Sequence, residues 1–386
     1  GGNACSLPRT ERSSGRGICP RAGGATRLGN GDMVDFWAGR RVLITGIAGF
    51  VGSNLARTLV DAGADVVGLD LTQTSPTLRV LGLGEVPVLV RDVRDTDRVR
   101  WAMERGNGQM DWRSPDVVFH LAGQSHIAQA QADPLRTWEI NVQGTWAVLE
   151  ACRNLPQGQI RAVVVASSNH VFGSLPKARV PTCALGHRAY PAVKQDSGRT
   201  MWLEDDPCQQ TDVYGVSKGC VDLLTRAYGA LGVPVVALRH QNAFGEADGH
   251  RSHIVTGTIC DLLESKIPVI LGDGTAIKGY LAVDDVCRAY LRVAEALLTR
   301  ECAPGIAIHA AGQAMSVLDL VKMIIMISGS NASPEIHGKD ASQNGYIEIL
   351  DDSYLRSMGW QLSDLWEGLQ HTFEWFRSHG GMDWVK

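Results

Sequence analysis

Tyr214 and Lys218 are four residues apart, a spacing that places two side chains on one face of a helix. A tyrosine has an ordinary pKa of about 10, and a nearby ammonium group favours the phenolate and lowers that value. Tyr214 could therefore take a proton from a hydroxyl group while hydride leaves the same carbon. The hydroxyl of Ser168 could hydrogen-bond the reacting oxygen, whereas Ser167 is expected to satisfy backbone groups. The alternative is a surface tyrosine and lysine on an amphipathic helix.

A glycine-rich turn upstream predicts the group that would accept the hydride. Gly46, Gly49 and Gly52 follow a buried strand and open a helix. The first glycine allows a sharp turn, the second lets the backbone approach a pyrophosphate, and the third lets the helix pack closely. The helix N-terminus supplies amide groups to the phosphates. A tight turn without a ligand is the alternative, but the flanking strand and helix favour a dinucleotide site.

Two aspartates follow the next predicted strands. Asp70 lies 18 residues after Gly52, where a carboxylate can accept both ribose hydroxyls of NAD and would repel the extra phosphate of NADP. No arginine follows it closely, so we expect NAD. Asp92 is expected either to meet the adenine amino group or to cap the following helix.

Short apolar segments that alternate with helical ones must position these residues. The expected strands are Val42–Thr45, Val66–Leu69, Val86–Val90, Asp116–His120, Ala162–Ala166 and Val235–Leu238. The expected helices are Phe50–Ala62, Asp95–Arg105, Pro134–Asn154 and Thr211–Gly232. Near-continuous Val, Ile and Leu strands indicate a parallel sheet covered on both faces. We predict an α/β fold with a doubly wound, Rossmann-like parallel sheet and a ligand at the carboxyl ends of its strands.

The chain divides into three parts by pattern. Residues 1–35 are rich in Gly, Arg and Ser and are expected to be a disordered or artificially added extension. Residues 36–245 are expected to form the NAD-binding domain with the catalytic Ser, Tyr and Lys. Residues 246–386 are expected to form a smaller mixed α/β lobe that binds substrate.

Composition excludes several classes of function. The net charge of −4 gives no reason to expect nucleic acid or a membrane surface as a partner. No apolar run approaches the roughly 20 residues that span a bilayer. The nine cysteines are scattered, which predicts reduced thiols and a cytoplasmic location. His250 and His253 lack two further ligands at suitable spacing, so we expect no metal.

The ordered set of motifs resembles the extended short-chain dehydrogenase/reductase superfamily, in its nucleotide-sugar epimerase and dehydratase branch. The likeness covers roughly residues 36–380. Its landmarks are Gly46-Ile-Ala-Gly-Phe-Val-Gly52, His120-Leu-Ala-Gly-Gln124, Asn141-Val-Gln-Gly-Thr145, Ser167-Ser168, Tyr214-Gly-Val-Ser-Lys218, Arg239-His-Gln-Asn242-Ala-Phe-Gly245, and Gly272-Asp-Gly-Thr-Ala-Ile-Lys-Gly-Tyr280 before Val283-Asp-Asp285. The run at 36–41 and the run at 217–220 look most like CDP-glucose 4,6-dehydratases and their relatives, such as GDP-mannose 4,6-dehydratases.

The resemblance implies an NAD cofactor, a nucleotide-sugar substrate and a set of site residues. The expected catalytic residues are Ser168, Asn169, His170, Tyr214 and Lys218. The expected cofactor-binding residues are Gly46, Gly49, Phe50, Val51, Gly52, Asp70, Asp92, Val93, Leu121, Ala122, Gly123, Asn141, Ala166 and Lys218. The expected substrate-binding residues are Gln124, His126, Asn242, Arg251 and Lys278.

Three of the substrate residues carry particular expectations. Asn242 matches a family residue that contacts the pyrophosphate of the sugar nucleotide. Lys278 stands where the family usually has an arginine, and it keeps the charge but loses the bidentate fork. Arg251 is expected either to contact phosphate or to be a solvated loop residue. The resemblance also implies a homodimer formed by helices such as those at 134–154 and 211–232, with Trp138 and Trp146 either in that interface or in the core.

One departure from the family pattern concerns elimination. A 4,6-dehydratase oxidises C4, removes a proton from C5, expels the C6 hydroxyl and returns hydride to C6. Family members usually have an acidic residue at one or both positions after the catalytic Ser or Thr, where this chain has Asn169 and His170. His170 could be the acid or base near neutral pH, or both residues could only bind substrate hydroxyls. The Ser-Asn-His run also resembles uronate dehydrogenases, which stop after oxidation.

Three interpretations of function follow. The first is an NAD-dependent, 4,6-dehydratase-like enzyme acting on a nucleoside diphosphate hexose. The second is a 4-epimerase or a sugar or uronate dehydrogenase on the same scaffold. The third is a non-catalytic NAD-binding protein, which the presence of Ser168, Tyr214 and Lys218 disfavours.

Overall fold

A parallel sheet of seven strands forms the centre of the molecule, which the computed structural model describes over residues 35–105, 114–175, 201–338 and 344–385. The expected extension at 1–35 lies outside these ranges except for its last residue. The described strands are β1 Arg41–Thr45, β2 Asp65–Asp70, β3 Val88–Val90, β4 Val117–His120, β5 Ala162–Ala166, β6 Val235–His240, β7 Asn242–Phe244, β8 Val269–Ile270, β9 Ile277–Ala282, β10 Ala307–Ala310, β11 Gln313–Ser316, β12 Glu335–Ile336 and β13 Ile347–Glu348.

Helices connect these strands and cover both faces of the sheet. The α-helices within the described ranges are α1 Phe50–Asp61, α2 Pro76–Val80, α3 Thr96–Arg105, α4 Ile127–Ala132, α5 Pro134–Trp138, α6 Gly144–Asn154, α7 Val213–Ala230, α8 Ile254–Leu263, α9 Val283–Thr299, α10 Val317–Ser328, α11 Ser353–Ser357 and α12 Leu365–Ser378. A π-helical segment, Glu139–Gln143, joins α5 to α6, and a 3-10 turn, Asn169–Val171, follows β5.

The strand order of the main sheet is β10-β6-β5-β4-β1-β2-β3, and all neighbours are parallel. Chain order reverses at β1, which pairs with both β2 and β4. A crevice therefore opens beyond the carboxyl ends of β1 and β4, where doubly wound folds bind their ligands. The predicted α/β, Rossmann-like fold is confirmed. Strand β5 has its predicted bounds, and β6 extends two residues beyond its predicted end.

The apolar character of the strands comes from burial on both faces. In β4, Val117 and Phe119 pack into one apolar cluster and Val118 packs into another on the opposite face. Successive side chains of a strand point to opposite faces, so each face needs its own apolar residue. Phe119 is fully buried, and replacing it with alanine would cost about 3–5 kcal/mol of stability.

A second, smaller sheet lies after the main one in the chain. Strand β9 pairs in parallel with β7 and β13 and antiparallel with β11. The helices α8, α10 and α12 pack together with this sheet around a separate apolar cluster. The division of domains at residue 245 stays a prediction, but α9 and β10 follow that boundary and still pack on the main sheet.

The segment Pro134–Asn154 differs from the single helix that its apolar spacing predicts. It is α5, the π-helical segment and α6 in sequence. The wider turn brings Asn141, which is 1% exposed, into the interior. Such π-helical turns are often found at functional sites. Within the described ranges, no helix combines the length and the apolar character needed to cross a membrane.

Candidate active site

A cleft of about 1070 Å³ lies over the carboxyl ends of the central strands and under the second sheet. It is lined on one side by the glycine turn after β1 and on the other by residues of β9 and β13. The cleft brings together most of the residues expected from the sequence. Those that line it are Gly46, Gly49, Phe50, Val51, Gly52, Leu121, Gly123, Gln124, His126, Ala166, Ser168, Asn169, His170, Tyr214, Lys218, Asn242, Arg251 and Lys278.

The glycine turn has the geometry that a diphosphate requires. Gly46 has a φ of +75°, and a Cβ there would lie 2.6 Å from the amide nitrogen of Ala122. A Cβ on Gly52 would lie 2.2 Å from the carbonyl oxygen of Gly46. Helix α1 has no acidic residue in its first turn and no side chain capping its N-terminus. Its free amide groups therefore face the cleft without competition, and the turn fits the diphosphate of a dinucleotide.

Asp70 ends β2 beside this turn. Its carboxylate accepts hydrogen bonds from the backbone N–H of Ala48 at 2.9 Å and of Leu71 at 2.7 Å. These bonds hold the side chain at the edge of the glycine turn, where the ribose of a dinucleotide is expected. Its role in choosing NAD stays a prediction.

Asp92 and Val93 do not line the cleft. Asp92 is paired with Arg94 through bonds of 2.7 to 3.1 Å, and these bonds lower the pKa of the Asp92 carboxyl. The first turn of α3 is capped by Asp95, which accepts from the backbone of Arg98. Asp92 is therefore not the cap of this helix, and its carboxylate is occupied by a guanidinium. Val93 is buried in the core against Gly144.

A buried network beneath the cleft holds the loop after β4. His120 contacts the hydroxyls of Thr45 at 2.7 Å and Thr145 at 3.1 Å, and burial lowers the pKa of its imidazole to about 3. His120 therefore stays neutral at physiological pH. Thr45 also accepts from the backbone of Ala122, which places Ala122 beneath Gly46 rather than in the cleft.

Asn141 shapes the same loop from the π-helical segment. Its Oδ1 accepts from the backbone N–H of Gln124 at 2.7 Å, and its Nδ2 donates to the carbonyl of Gln124 at 3.0 Å and to Ser217 Oγ at 2.9 Å. All polar atoms of this side chain thus form structural hydrogen bonds, which connect the loop to helix α7. It positions the loop residues rather than facing the cleft itself.

Lys218 and Tyr214 both face the cleft from α7, but their electrostatics differ from the sequence expectation. Lys218 Nζ donates to the carbonyl of Ala166 at 2.8 Å, and burial lowers the pKa of its ammonium to about 8. Burial raises the pKa of the Tyr214 phenol to about 12, although a hydrogen bond with Ser168 opposes this. Burial therefore dominates the pKa of this phenol, and the expected lowering of that pKa by Lys218 stays a prediction.

Ser168 stands at the end of β5, next to the phenol of Tyr214. It caps the 3-10 turn, since its Oγ accepts from the backbone N–H of His170 at 3.1 Å. Asn169 lies alongside, with its Oδ1 at 3.4 Å from Ser168 Oγ. Ser168 is thus held in place by the backbone of His170, and its hydroxyl donates to Asn169 Oδ1 and also bonds the phenol of Tyr214.

His170 is enclosed by two carboxylates. Its Nε2 lies 2.9 Å from Asp212, and its Nδ1 lies 3.5 Å from Glu348. Burial disfavours the charged ring, but Asp212 and Glu348 outweigh it and raise the pKa of His170 to about 9. The ring is therefore an imidazolium at neutral pH. The sequence left open whether His170 is an acid or a base, and this charge state favours the role of an acid.

The expected substrate residues line the cleft, and the side chains of three of them are already bonded. Gln124 Nε2 donates to Gln129 Oε1 at 2.6 Å. Asn242 donates to the carbonyl of Gly279 at 3.0 Å. Arg251 is paired with Asp261 at 2.7 Å and with Glu264. Its charge is therefore largely neutralised, which weakens its expected contact with phosphate. The ring of His126 lies 4.7 Å from that of His250 and 5.5 Å from that of His253.

Sequence reasoning missed several residues of the site. Asp212 caps α7 by accepting from the backbone of Gly215, and its position just before an expected helix was a usable signal. Glu348 on β13 and Tyr346, whose hydroxyl lies 3.3 Å from His170 Nδ1, had no local signal. Tyr280 and Tyr290 also face the cleft, and neither hydroxyl has a hydrogen-bond partner among the described residues.

The model of the NAD dependent epimerase/dehydratase family matches residues 42–302. Among curated proteins, the chain is 25% identical over 354 residues to a trifunctional UDP-glucose 4,6-dehydratase/UDP-4-keto-6-deoxy-D-glucose 3,5-epimerase/UDP-4-keto-L-rhamnose-reductase of Arabidopsis thaliana, covering 87% of this chain and 47% of that protein. The chain thus spans about half the length of that relative. It is 26% identical over 368 residues to CDP-glucose 4,6-dehydratase of Salmonella typhimurium, covering 90% of this chain and 93% of the relative.

Solved structures agree with the fold. The UDP-glucose 4-epimerase of Thermus thermophilus, determined as a complex with NAD, has a TM-score of 0.68 and 25% identity to this chain. The match covers 87% of this chain and 99% of that one.

Proposed function

Because this chain belongs to the NAD-dependent epimerase/dehydratase family, we propose that it is a 4,6-dehydratase of a nucleoside diphosphate hexose. The observation that carries the proposal is the arrangement of three groups in one cleft: the Tyr214 phenol beside Ser168, the glycine turn, and a charged His170 next to Tyr214. The rings of His170 and Tyr214 are 5.8 Å apart. The first two groups support oxidation, and the third supports the loss of water.

The oxidation at C4 needs a group that takes the hydroxyl proton. When bound, NAD supplies the hydride acceptor for this carbon. Tyr214 takes the proton from the C4 hydroxyl, and Ser168 orients that oxygen by hydrogen bonding. Burial disfavours the phenolate that Tyr214 must become, and the positive charge of Lys218, one helical turn away, acts against this effect.

The elimination needs an acid for the C6 hydroxyl. A C4 carbonyl makes the C5 proton acidic, and the leaving hydroxyl then requires a proton. His170 carries one at neutral pH because Asp212 and Glu348 hold its imidazole charged. Its Nε2 faces Asp212, and its Nδ1 faces Tyr346 and Glu348, so the Nδ1 proton points toward the second sheet.

The second candidate is a 4-epimerase or a sugar or uronate dehydrogenase. It is favoured by Asn169, since an amide stands where dehydratases of the family usually have a carboxyl group. Neither epimerisation nor oxidation alone needs an acid–base pair beside Ser168. The nucleotide base and the sugar are not part of this proposal.

The test offers CDP-, dTDP-, UDP- and GDP-glucose to the purified protein and follows each by mass spectrometry and NMR. A product that has lost one water supports the dehydratase. An unchanged mass with inverted C4 stereochemistry supports the epimerase instead, and net formation of NADH supports a dehydrogenase. Each of the last two outcomes overturns the main proposal.

We also propose a homodimer and a cytoplasmic location. The adjacent helices α5, α6 and α7 carry exposed apolar side chains, including Leu135, Trp146 and Leu223. Such side chains favour contact with a second copy. The cysteines of the described ranges are free, four of them buried, which is usual in a reducing compartment.

A further inference from the structure

A buried carboxylate enters the cleft from the second sheet. Glu348 lies on β13 with its side chain only 4% exposed, and it lines the cleft together with His170 and Tyr214. Its Oε1 atom has no hydrogen-bond partner among the described residues. The nearest charged donor is His170 Nδ1, at 3.5 Å, which is beyond an ordinary hydrogen bond.

The backbone around Glu348 fixes where this carboxylate points. Strand β13 pairs in parallel with β9 so that Glu348 is opposite Lys278, and the side chains of both line the cleft. The amide of Gln241 donates to the Glu348 carbonyl at 2.7 Å. The carboxylate is thus presented by a paired strand rather than by a loop.

Burying a carboxylate oxygen without an ordinary hydrogen bond costs free energy, and the ion pair with His170 at 3.5 Å offsets only part of this cost. Groups kept at such a cost are concentrated at functional sites. Glu348 also has the right neighbours for proton transfer: the acid His170 on one side, and the hydroxyls of Tyr280 and Tyr346 near it.

We propose that Glu348 is the catalytic base that removes the C5 proton of the 4-keto sugar, with His170 as the acid. The assignment rests on the proposed dehydratase function. The elimination needs a base, and Asn169 cannot supply it, since an amide does not accept a proton at neutral pH.

The elimination balances in atoms and electrons. Glu348 takes the proton from C5, and the electron pair of that C–H bond becomes the C5–C6 double bond. The C6–O bond breaks, and its oxygen takes the Nδ1 proton of His170 and leaves as water. The sugar becomes an unsaturated 4-ketone, Glu348 is left protonated and His170 is left neutral. His170 then regains its proton from solvent, and Glu348 can return its proton to C5.

Two charged groups and one aromatic ring face this pair from three elements. Asp212 at the start of α7 holds the far side of His170, and Lys278 on β9 is the cation opposite Glu348. Tyr346 on the segment before β13 stacks on His170 at 6.2 Å between ring centroids. Removing the charge of Glu348 therefore changes proton transfer while Asp212 continues to hold the imidazole.

The test measures exchange at C5 directly. The holoenzyme is incubated in D2O with the 4-keto-6-deoxyglucose derivatives of CDP, dTDP and UDP, and NMR separates exchange at C5 from exchange at C3. We expect Glu348→Gln to lower the C5 exchange rate about 100-fold or more. Glu348→Asp should recover part of it. Glu295→Gln is the matched control, because Glu295 is also a buried carboxylate but bonds Trp37 outside the cleft.

A second measurement separates catalysis from folding. E348Q should still oxidise C4 of the glucose nucleotide, which is seen as absorbance of reduced nicotinamide. In overall dehydration, E348Q should change kcat more than KM. If wild type dehydrates a sugar nucleotide and E348Q exchanges C5 at the wild-type rate, the Glu348 assignment is overturned while the proposed function stands. If wild type dehydrates none of the nucleotides, the proposed function itself fails.

Discussion

Lys218 Nζ donates a hydrogen bond of 2.8 Å to the carbonyl oxygen of Ala166, and this bond ties α7 to the carboxyl end of β5. Ser168 follows Ala166 by two residues, and Tyr214 precedes Lys218 by one helical turn. The bond therefore sets the distance between the serine hydroxyl and the phenol. It also explains how an ammonium that is 6% exposed is tolerated: the carbonyl dipole partly compensates its lost hydration.

Removing the phenol hydroxyl tests the role of Tyr214. Tyr214→Phe should lower turnover about 100- to 10,000-fold, since it deletes the proton acceptor but not the ring. NAD binding should remain, and it can be measured by fluorescence titration. Tyr228→Phe is the control on the same helix, where Tyr228 bonds Glu150 away from the cleft. Turnover of Y214F close to that of Y228F would refute the assignment.

Filling the glycine turn tests the cofactor site. A Cβ on Gly52 would lie 2.2 Å from the Gly46 carbonyl, so Gly52→Ala must displace the backbone that would hold the diphosphate. We expect at least about a 100-fold weaker NAD affinity by isothermal titration calorimetry, together with a lower melting temperature. Gly84→Ala is the control, because a Cβ there meets nothing within 4 Å. Equal affinity in the two variants would exclude NAD from this turn.

Charge removal at the end of β2 tests the preference for NAD. Asp70→Ala should weaken the binding of NAD about 10- to 100-fold, as expected for the loss of a hydrogen bond to a charged acceptor. It should also reduce the difference in affinity between NAD and NADP, because the repulsion of the extra phosphate of NADP is lost. Dissociation constants for both nucleotides check this, with Asp65→Ala at the exposed start of β2 as the control. An unchanged ratio of the two constants would contradict the placement of the ribose.

The raised pKa of His170 predicts a pH-dependent contribution to stability. The folded value is about 9 against the ordinary 6.5, so the folded protein binds this proton more tightly than the unfolded chain does. The stabilisation is complete below about pH 6.5 and is lost as the pH rises through about 9. The difference in unfolding free energy between wild type and His170→Asn should therefore fall across this window, by about 3 kcal/mol at most.

Urea denaturation at several pH values measures this difference. Lys218 has a lowered pKa of about 8, so its contribution to the unfolding free energy rises with pH above that value. Lys218 is present in both proteins, so this contribution cancels in the difference. A difference that stays constant from pH 6 to 10 would show that His170 is not held as an imidazolium.

An exposed leucine on α7 tests the homodimer. Leu223 is 61% exposed, and Leu223→Arg should shift the protein to a monomer in light scattering if α7 forms the interface. Leu231→Arg is the control, since Leu231 is 64% exposed but stands at the C-terminal cap of the same helix. A monomeric wild type would contradict the proposed dimer. A dimeric L223R would place the dimer interface elsewhere than at Leu223.

The fold and the glycine turn were predictable because their signals are local. A turn between a buried strand and a helix is encoded by three glycines, and continuous apolar strands indicate burial on both faces. The bounds of β5 and the placement of Tyr214 and Lys218 on one helix follow from the same short-range rules. The π-helical segment around Asn141 was not predictable, because its apolar spacing fits an ordinary helix and only packing against Ser217 and Gln124 favours the wider turn.

The sequence by itself determined a dinucleotide fold with a tyrosine, a lysine and a serine brought to one edge of its sheet, since each depends on neighbours along the chain. Only the tertiary structure decided the charge of His170 and the presence of Glu348 beside it. Tyr346 is 176 residues from His170, and no periodicity connects positions so far apart. The physical reason is that a pKa depends on charges and burial in space, which arise only when β13 pairs with β9 over the main sheet.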